Sequence, residues 1–265
     1  MGDGSLLEVT SADGATIGVE VVGSGPSLVA MHGSTADRSR WAPVREALSR
    51  HFTLYLVDRR GRGASTGDPD SYALRRETED VVAVAAACDD LPGYLGHSYG
   101  AVIGLDLLAT APDTIAAALL YEPPFDIGGH TTFPPGFLDA YEDLLAAGDR
   151  EAALQMFYRA VIGIDPEPMR ALPIWQARLA AAHTLVREGR IGLRYAPGQE
   201  DFADVGIPVE ILAGTTSPPV FGAAAEAAAS AIPGARLTWL EGQGHTMIDA
   251  DPDGFVRKML DFFPR

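Results

Sequence analysis

The residues best suited to chemistry are the five at 96–100, Gly-His-Ser-Tyr-Gly, which stand between an apolar segment and a helix-forming segment. The apolar run at 91–95 predicts a buried strand that ends at Gly96, and the apolar face of 101–111 predicts a helix. Ser98 then lies on a sharp turn that presents its hydroxyl, and the flanking glycines let the backbone approach its neighbours closely. We therefore predict that Ser98 is a nucleophile.

The segments around this turn alternate between strand-like and helix-like composition. Strands are predicted at 16–22, 27–31, 53–57, 93–95, 115–121, 208–213 and 236–240, and helices at 41–50, 70–89, 101–111, 221–231 and 252–262. This alternation is typical of an α/β fold with a doubly wound, mostly parallel sheet. Residues 125–200 begin with a segment rich in Gly, Pro and aromatic residues. They continue with alanine-rich segments that predict amphipathic helices. We predict that they form a helical cap inserted into a core of residues 1–124 and 201–265.

Composition narrows the class of ligand. The 265 residues are 47% hydrophobic, enough for a sizeable core, and carry a formal charge of −16. Such a charge excludes nucleic acid and anionic membranes as partners and favours a small molecule. The first residues have no apolar core of signal-peptide length, and no apolar run approaches about 18 residues. We expect a cytoplasmic protein, and we leave a homodimer open.

Four motifs occur in a specific order along the chain. They are His32-Gly33 after an early strand, the turn 58–65, the segment 96–100, and Gly-Gln-Gly-His at 242–245 after the last predicted strand. Together they resemble the α/β-hydrolase superfamily, and the resemblance spans nearly the whole chain. It implies the α/β-hydrolase fold and a serine hydrolase with an esterase-like site. We expect the arginine-rich turn, with Asp58, to tie loops together.

The resemblance also assigns roles. A serine hydroxyl is a weak nucleophile at neutral pH and needs an imidazole to take its proton. Among six histidines, His245 lies on a glycine-rich loop where the resemblance places this base. The resemblance implies that the backbone N–H groups of Ser34 and Tyr99 form the oxyanion hole. It also implies that His32 and His97 shape their motifs and line the substrate pocket.

The acid of the triad departs from the pattern of the family. Most relatives carry an aspartate after the strand that follows the insertion, but Ser217 stands at that position. Glu122 closes the strand predicted at 115–121. The resemblance implies that some family members carry the acid after this strand, beside the strand that leads into the turn at 96–100, which we call the elbow strand. Two prolines after Glu122 restrict the backbone. We predict that Glu122 is the acid. The alternatives that we weigh are a dyad without an acid and the side chains of Asp126, Asp249 and Asp251.

These observations predict a serine hydrolase that cleaves a carboxylic ester or lactone of a small, mostly apolar molecule through an acyl-enzyme, without a metal or organic cofactor. The alternatives are a carbon–carbon bond or thioester hydrolase or cyclase with the same triad, and a ligand-binding protein on a hydrolase scaffold. The pocket is expected to be lined by aromatic and sulfur-containing residues of the cap, among them Phe125, Phe133, Phe137, Tyr141, Met156, Phe157, Tyr158, Met169 and Trp175.

Overall fold

The structure is a computed structural model that describes residues 4–67, 72–192 and 195–264. Its strands are β1 (Ser5–Thr10), β2 (Thr16–Gly23), β3 (Ser27–Met31), β4 (Thr53–Val57), β5 (Gly93–His97), β6 (Ala117–Tyr121), β7 (Val209–Gly214) and β8 (Arg236–Leu240). They form one sheet in the order β1-β2-β4-β3-β5-β6-β7-β8. The strand β2 pairs antiparallel with β1 and β4, and all other neighbours are parallel. The predicted mostly parallel sheet is confirmed.

Helices cover both faces of this sheet. They are α1 (Ala42–Leu48), α2 (Leu74–Ala86), α3 (Tyr99–Thr110), α4 (Phe137–Ala146), α5 (Arg150–Phe157), α6 (Glu167–Arg170), α7 (Ile174–Ala181), α8 (Leu185–Gly192), α9 (Pro219–Ala231), α10 (Met247–Ala250) and α11 (Pro252–Phe262). A π-helical turn, Tyr158–Ile162, continues α5. None of the helices in the described ranges has the length and hydropathy needed to cross a membrane.

The strand β3 shows why its sequence is apolar throughout. All five of its residues are buried. Val29 and Met31 pack into a core cluster with α2, α3 and α9, whereas Leu28 and Ala30 pack into a second cluster with α1 and α11. Successive side chains of a strand point to opposite faces, and helices cover both faces here. A central strand of this sheet therefore has no polar face.

The helices α4 to α8 all lie between β6 and β7 in the sequence. Their apolar faces form a third core cluster, which includes Tyr141, Leu154 and Leu185 and also takes in Phe221 of α9. The insertion of helices after β6 is therefore observed. The division into a core and a cap remains a prediction.

Several elements differ from the sequence prediction. The strand β1 was not predicted, because most of its side chains are exposed and it lies at the edge of the sheet. The strand β5 continues to His97 rather than ending at residue 95 or 96. The helix predicted at 70–89 is α2, which ends at Ala86, and Asp70 lies outside the described residues.

Candidate active site

Ser98 lies on a strained turn that joins β5 to α3. Its φ of 57° and ψ of −123° are rarely adopted by non-glycine residues. A Cβ atom added to Gly96 would lie 2.6 Å from the carbonyl oxygen of Gly100, and one added to Gly100 would overlap the carbonyl oxygen of Met31. Both positions must therefore be glycine for the turn to form, as the sequence predicts.

Glu122 follows β6 directly and lies beside this turn. The N–H of Ser98 donates to the carbonyl of Tyr121 at 2.8 Å, and the N–H of Glu122 donates to the carbonyl of Leu212 at 3.0 Å. These bonds continue the parallel ladders beyond the ends of β5 and β6. Glu122 has a positive φ of 51°, a conformation that surrounding contacts must stabilise. Both residues are thus held at the carboxyl edge of the sheet.

Glu122 contacts His245 through a short hydrogen bond. The imidazole Nδ1 of His245 lies 2.5 Å from Oε2 of Glu122, and both side chains are buried. Because a carboxylate only accepts, Nδ1 carries the proton and Nε2 of the neutral ring is the basic atom. The other carboxylate oxygen, Oε1, accepts from the N–H of Gly214 at 2.7 Å and from the hydroxyl of Ser217 at 2.6 Å. Ser217 therefore supports the carboxylate of Glu122 from the position where the resemblance predicted an aspartate.

The three other carboxylates weighed for this role lie elsewhere. Asp126 accepts from the N–H of Thr132, and Asp251 accepts from Gly254 at the start of α11. Asp249 forms a bidentate ion pair with Arg40, at 2.8 and 2.7 Å. Asp126 and Asp251 therefore make structural contacts, and Asp249 lines the cavity but is paired with Arg40.

The loop that carries His245 is anchored to the elbow strand. Nε2 of His97 lies 3.1 Å from the carbonyl oxygen of His245, so Nε2 donates. Burial lowers the pKa of His97 well below its ordinary value, and His245 nearby lowers it further, which keeps the His97 ring neutral. The ring of Phe221 also packs on the imidazole of His245, with centroids 4.3 Å apart. Two contacts therefore hold the predicted base in position.

The loop after β3 approaches Ser98 closely. A Cβ atom on Gly33 would lie 2.8 Å from Cβ of Ser98. The carbonyl oxygen of Gly33 accepts from Nδ1 of His32 at 2.8 Å and from Arg59 at 3.2 Å. This carbonyl and the N–H of Ser34 belong to one trans peptide, so the two bonds also fix the direction of that N–H. Tyr99 is the first residue of α3. Its N–H is a second candidate donor, since the first N–H groups of a helix have no intrahelical acceptor.

Two adjoining cavities meet at Ser98, and Ser34 lines both of them. One contains His97 and His245 together with three charged side chains, those of Arg40, Arg178 and Asp249. The other is largely apolar and is lined by residues that include Tyr99, Phe133, Phe157, Val161, Ile162, Glu188 and Phe221. Within the described ranges, no three His, Cys, Asp or Glu side chains gather as they would around a metal ion.

Most of the residues predicted to line the pocket lie away from these cavities. His32 is fully buried, and its two ring nitrogens bond to Gly33 and to the N–H of Arg59. The ring of Phe125 packs edge-on against Tyr195. Phe137 stacks between Phe133 and Tyr141, and the indole N–H of Trp175 donates to Glu151 at 2.9 Å. Of the predicted set, the cavities are lined by His97, Phe133, Phe157, Tyr158 and Met169.

The model of the Alpha/beta hydrolase family matches residues 28–258, which is most of the chain. The chain belongs to the alpha/beta hydrolase family. The match spans every element that contributes to the site, from the end of β3 to the loop that carries His245.

Named proteins are similar to the chain over most of its length. An alpha/beta hydrolase from Sphaerobacter thermophilus DSM 20745 is 33% identical, with a TM-score of 0.85, and the match covers 97% of this chain and 100% of that one. An esterase from Rhodococcus sp. ECU1013 is 27% identical with a TM-score of 0.76, covering 97% and 98%. A pimeloyl-[acyl-carrier protein] methyl ester esterase of Xanthomonas campestris pv. campestris is 28% identical over 235 residues, covering 86% and 90%.

Proposed function

We propose that this alpha/beta hydrolase cleaves a carboxylic ester or lactone through an acyl-enzyme on Ser98. The observation that carries the proposal is the buried pair of His245 and Glu122, with Nδ1 and Oε2 2.5 Å apart, together with the cavity that His245 and the strained Ser98 both line. The esterases among its relatives support the same class of reaction.

In the first half of the reaction, the hydroxyl oxygen of Ser98 attacks the ester carbonyl while Nε2 of His245 takes its proton. Glu122 keeps the imidazole in the Nδ1–H tautomer and stabilises the imidazolium that forms. The imidazolium then gives its proton to the leaving alcohol, and the ester carbon remains bound to Ser98. For a lactone the alcohol stays attached to the acyl group.

The tetrahedral intermediate carries a full negative charge on its oxygen. We assign its stabilisation to the N–H groups of Ser34 and Tyr99. The hydrogen bonds of His32 and Arg59 to the carbonyl of Gly33 fix the first of these donors before substrate arrives. Because the donors are set in advance, little reorganisation is needed when charge develops.

In the second half, His245 takes a proton from water, whose oxygen attacks the acyl carbon. The imidazolium then returns this proton to the oxygen of Ser98 as its bond to the acyl carbon breaks, which releases the carboxylic acid. We assign residues 125–200 the role of a cap over this chemistry, on a core of 1–124 and 201–265. Side chains from this segment, including Phe157, Ile162 and Met169, line the cavity at Ser98.

This geometry favours an enzyme over the alternative of a ligand-binding protein on a hydrolase scaffold. That alternative drew support from the missing aspartate at position 217. Glu122 provides a carboxylate to His245, and Ser217 supports that carboxylate.

The test is hydrolysis of p-nitrophenyl esters of increasing acyl length, together with labelling by a fluorophosphonate that reacts with activated serines. We expect Ser98→Ala to lose about 10⁴-fold or more in kcat and to take no label, because the nucleophile is gone. Ser230→Ala, an exposed serine of α9, is the matched control and should behave as wild type. Retained turnover or labelling in Ser98→Ala would contradict the proposal.

A further inference from the structure

Arg178, on α7, is a buried cation in the wall of the cavity. Its side chain is 7% exposed, and it lines the same cavity as Ser98 and His245. Nη1 donates to the carbonyl of Thr35 at 3.1 Å, while Nε has no hydrogen-bond partner. Within the described residues, no carboxylate lies within ion-pair distance of its guanidinium.

The other buried arginines of the described chain all have a carboxylate partner. Arg40 pairs with Asp249, Arg60 pairs with Asp80, and Arg59 and Arg62 pair with glutamates. Arg178 differs from all of them. Burial lowers its pKa below that of a free guanidinium, since a charge removed from water without a partner is unfavourable.

The charges around Arg178 leave a local excess of positive charge. Asp249 is already paired with Arg40, whose Nη1 donates to it at 2.8 Å, and Asp37 accepts from Ser39 at the start of a short helical turn. The cavity lining therefore holds two arginines and one aspartate. A chain with a formal charge of −16 thus places a cation without a carboxylate partner in the cavity that its candidate nucleophile also lines. A neutral donor would suffice for the bond to Thr35, so that bond does not account for the charge.

We propose that Arg178 binds a carboxylate carried by the ester substrate, at a distance from the bond that is cleaved; this rests on the proposed function. A planar guanidinium binds a carboxylate through two parallel hydrogen bonds, and such bonds are strongest away from water. Phe157 and Ile162 line the cavity on its apolar side. The substrate class is then a half-ester, with an apolar chain between a scissile ester and a free carboxylate, rather than simply the mostly apolar molecule predicted from the sequence.

The test compares kcat/KM for two series of methyl esters of increasing chain length. One series is the half-esters of dicarboxylic acids, and the other is the corresponding neutral compounds, in which a carboxamide replaces the free carboxylate. We expect wild type to prefer the carboxylate at its best chain length by tenfold or more in kcat/KM. Arg178→Met should abolish this preference by losing activity only on the half-ester, and Arg178→Lys should keep part of it. Arg159→Met, an exposed arginine of the π-helical turn, removes the same charge and should keep the full preference.

Binding to the Ser98→Ala variant separates this inference from the proposed function. By calorimetry, the best half-ester should bind Ser98→Ala at least tenfold more tightly than Ser98→Ala/Arg178→Met, whether or not wild type hydrolyses it. Equal binding to the two variants, or an equal loss on charged and neutral esters in Arg178→Met, would overturn the inference. The melting temperature of Arg178→Met should stay near that of wild type, since the substitution removes an unpaired buried charge; a large drop would indicate a structural role and also overturn it.

Discussion

Ser217 stands at the position of the expected aspartate, but its hydroxyl does not take over the electrostatic role of a carboxylate. It supports Glu122 instead. A serine at position 217 cannot balance an imidazolium, because it carries no charge. It can, however, donate to a carboxylate that comes from the next strand in the sheet, and its hydroxyl lies 2.6 Å from Oε1 of Glu122. With Gly214 and His245, Glu122 accepts three hydrogen bonds while fully buried. These three donors fix the orientation of the carboxylate.

This arrangement predicts a large effect of Glu122→Gln on turnover. We expect kcat on p-nitrophenyl esters to fall by about 10²- to 10⁴-fold, since an amide can neither hold the productive tautomer of His245 nor stabilise its positive charge. Glu241→Gln, an exposed glutamate just before the histidine loop, removes the same charge and should retain wild-type kcat.

A second substitution tests the position of the acid. In Glu122→Gln/Ser217→Asp the carboxylate returns to the place that most relatives use, and we expect at least tenfold of the lost kcat to be recovered. If Glu122→Gln alone kept more than a third of wild-type kcat, His245 would not depend on this carboxylate.

At the scale of elements, α8 is tied to the turn after β4 by buried ion pairs. Oε1 of Glu188 lies 3.0 Å from Arg59 and also contacts Arg62. Arg187, one residue earlier, donates to the carbonyl of Arg60 at 2.7 Å. The arginine-rich turn predicted to tie loops together does so, and Asp58 within it accepts from the N–H groups of Arg38 and Ala64. The same turn also joins the inserted helices to the sheet.

The pKa of Glu188 makes this junction sensitive to acid. Burial alone would raise that pKa, but Arg59 and Arg62 outweigh burial and lower it to about 2. A carboxyl whose pKa is lower in the folded state stabilises the fold above its unfolded pKa of about 4.3 and loses this effect as pH falls towards 2. We expect the difference in free energy of unfolding between wild type and Glu188→Gln to shrink by roughly 2 kcal/mol from pH 5 to pH 3.

Urea unfolding at several pH values measures this difference. Glu226→Gln, an exposed glutamate of α9, is the control and should follow wild type at every pH. A gap between wild type and Glu188→Gln that stays constant down to pH 3 would mean that Glu188 titrates alike in the folded and unfolded chain.

Across the whole molecule, the sequence predicts best what depends on neighbours in the chain. The continuous apolar run of β3 and the glycines around Ser98 are local signals, and each has a direct steric reason in the structure. Glu122 could be proposed because the resemblance implies that some family members carry their acid after this strand, and because Ser217 stands at the usual position of the aspartate. The catalytic roles of these residues remain predictions that the experiments above test.

What the sequence did not predict depends on distant segments meeting. Arg178 is one of many charged residues on helices of the insertion. Two features of the described structure distinguish it: it lines the cavity that Ser98 also lines, and no carboxylate lies within ion-pair distance of it. Phe137 and Trp175 are aromatic, as pocket residues often are, but they pack in the core between the inserted helices. Periodicity shows that a helix face is apolar; it does not show whether that face meets another helix or a cavity.

The net charge predicts how the whole molecule responds to salt. A formal charge of −16 repels itself more strongly in the folded state than in the expanded chain. Raising NaCl from about 10 to about 200 mM shortens the screening length from about 30 Å to below 10 Å. Salt also weakens exposed ion pairs, but each of these contributes only about 0–1 kcal/mol, and buried pairs such as Arg59 with Glu188 are shielded from it. Repulsion should therefore dominate, and we expect the melting temperature to rise by about 2–4 °C.

A variant with fewer negative charges checks the cause of this rise. Glu200→Gln, Asp204→Asn, Glu226→Gln and Glu241→Gln together remove four exposed carboxylates that form no ion pair within the described ranges. Differential scanning calorimetry should show that this variant melts higher than wild type at low salt and gains less from added NaCl, since less repulsion is left to screen. If the melting temperature of wild type instead fell as NaCl was raised, attraction within ion pairs would outweigh the repulsion of the net charge.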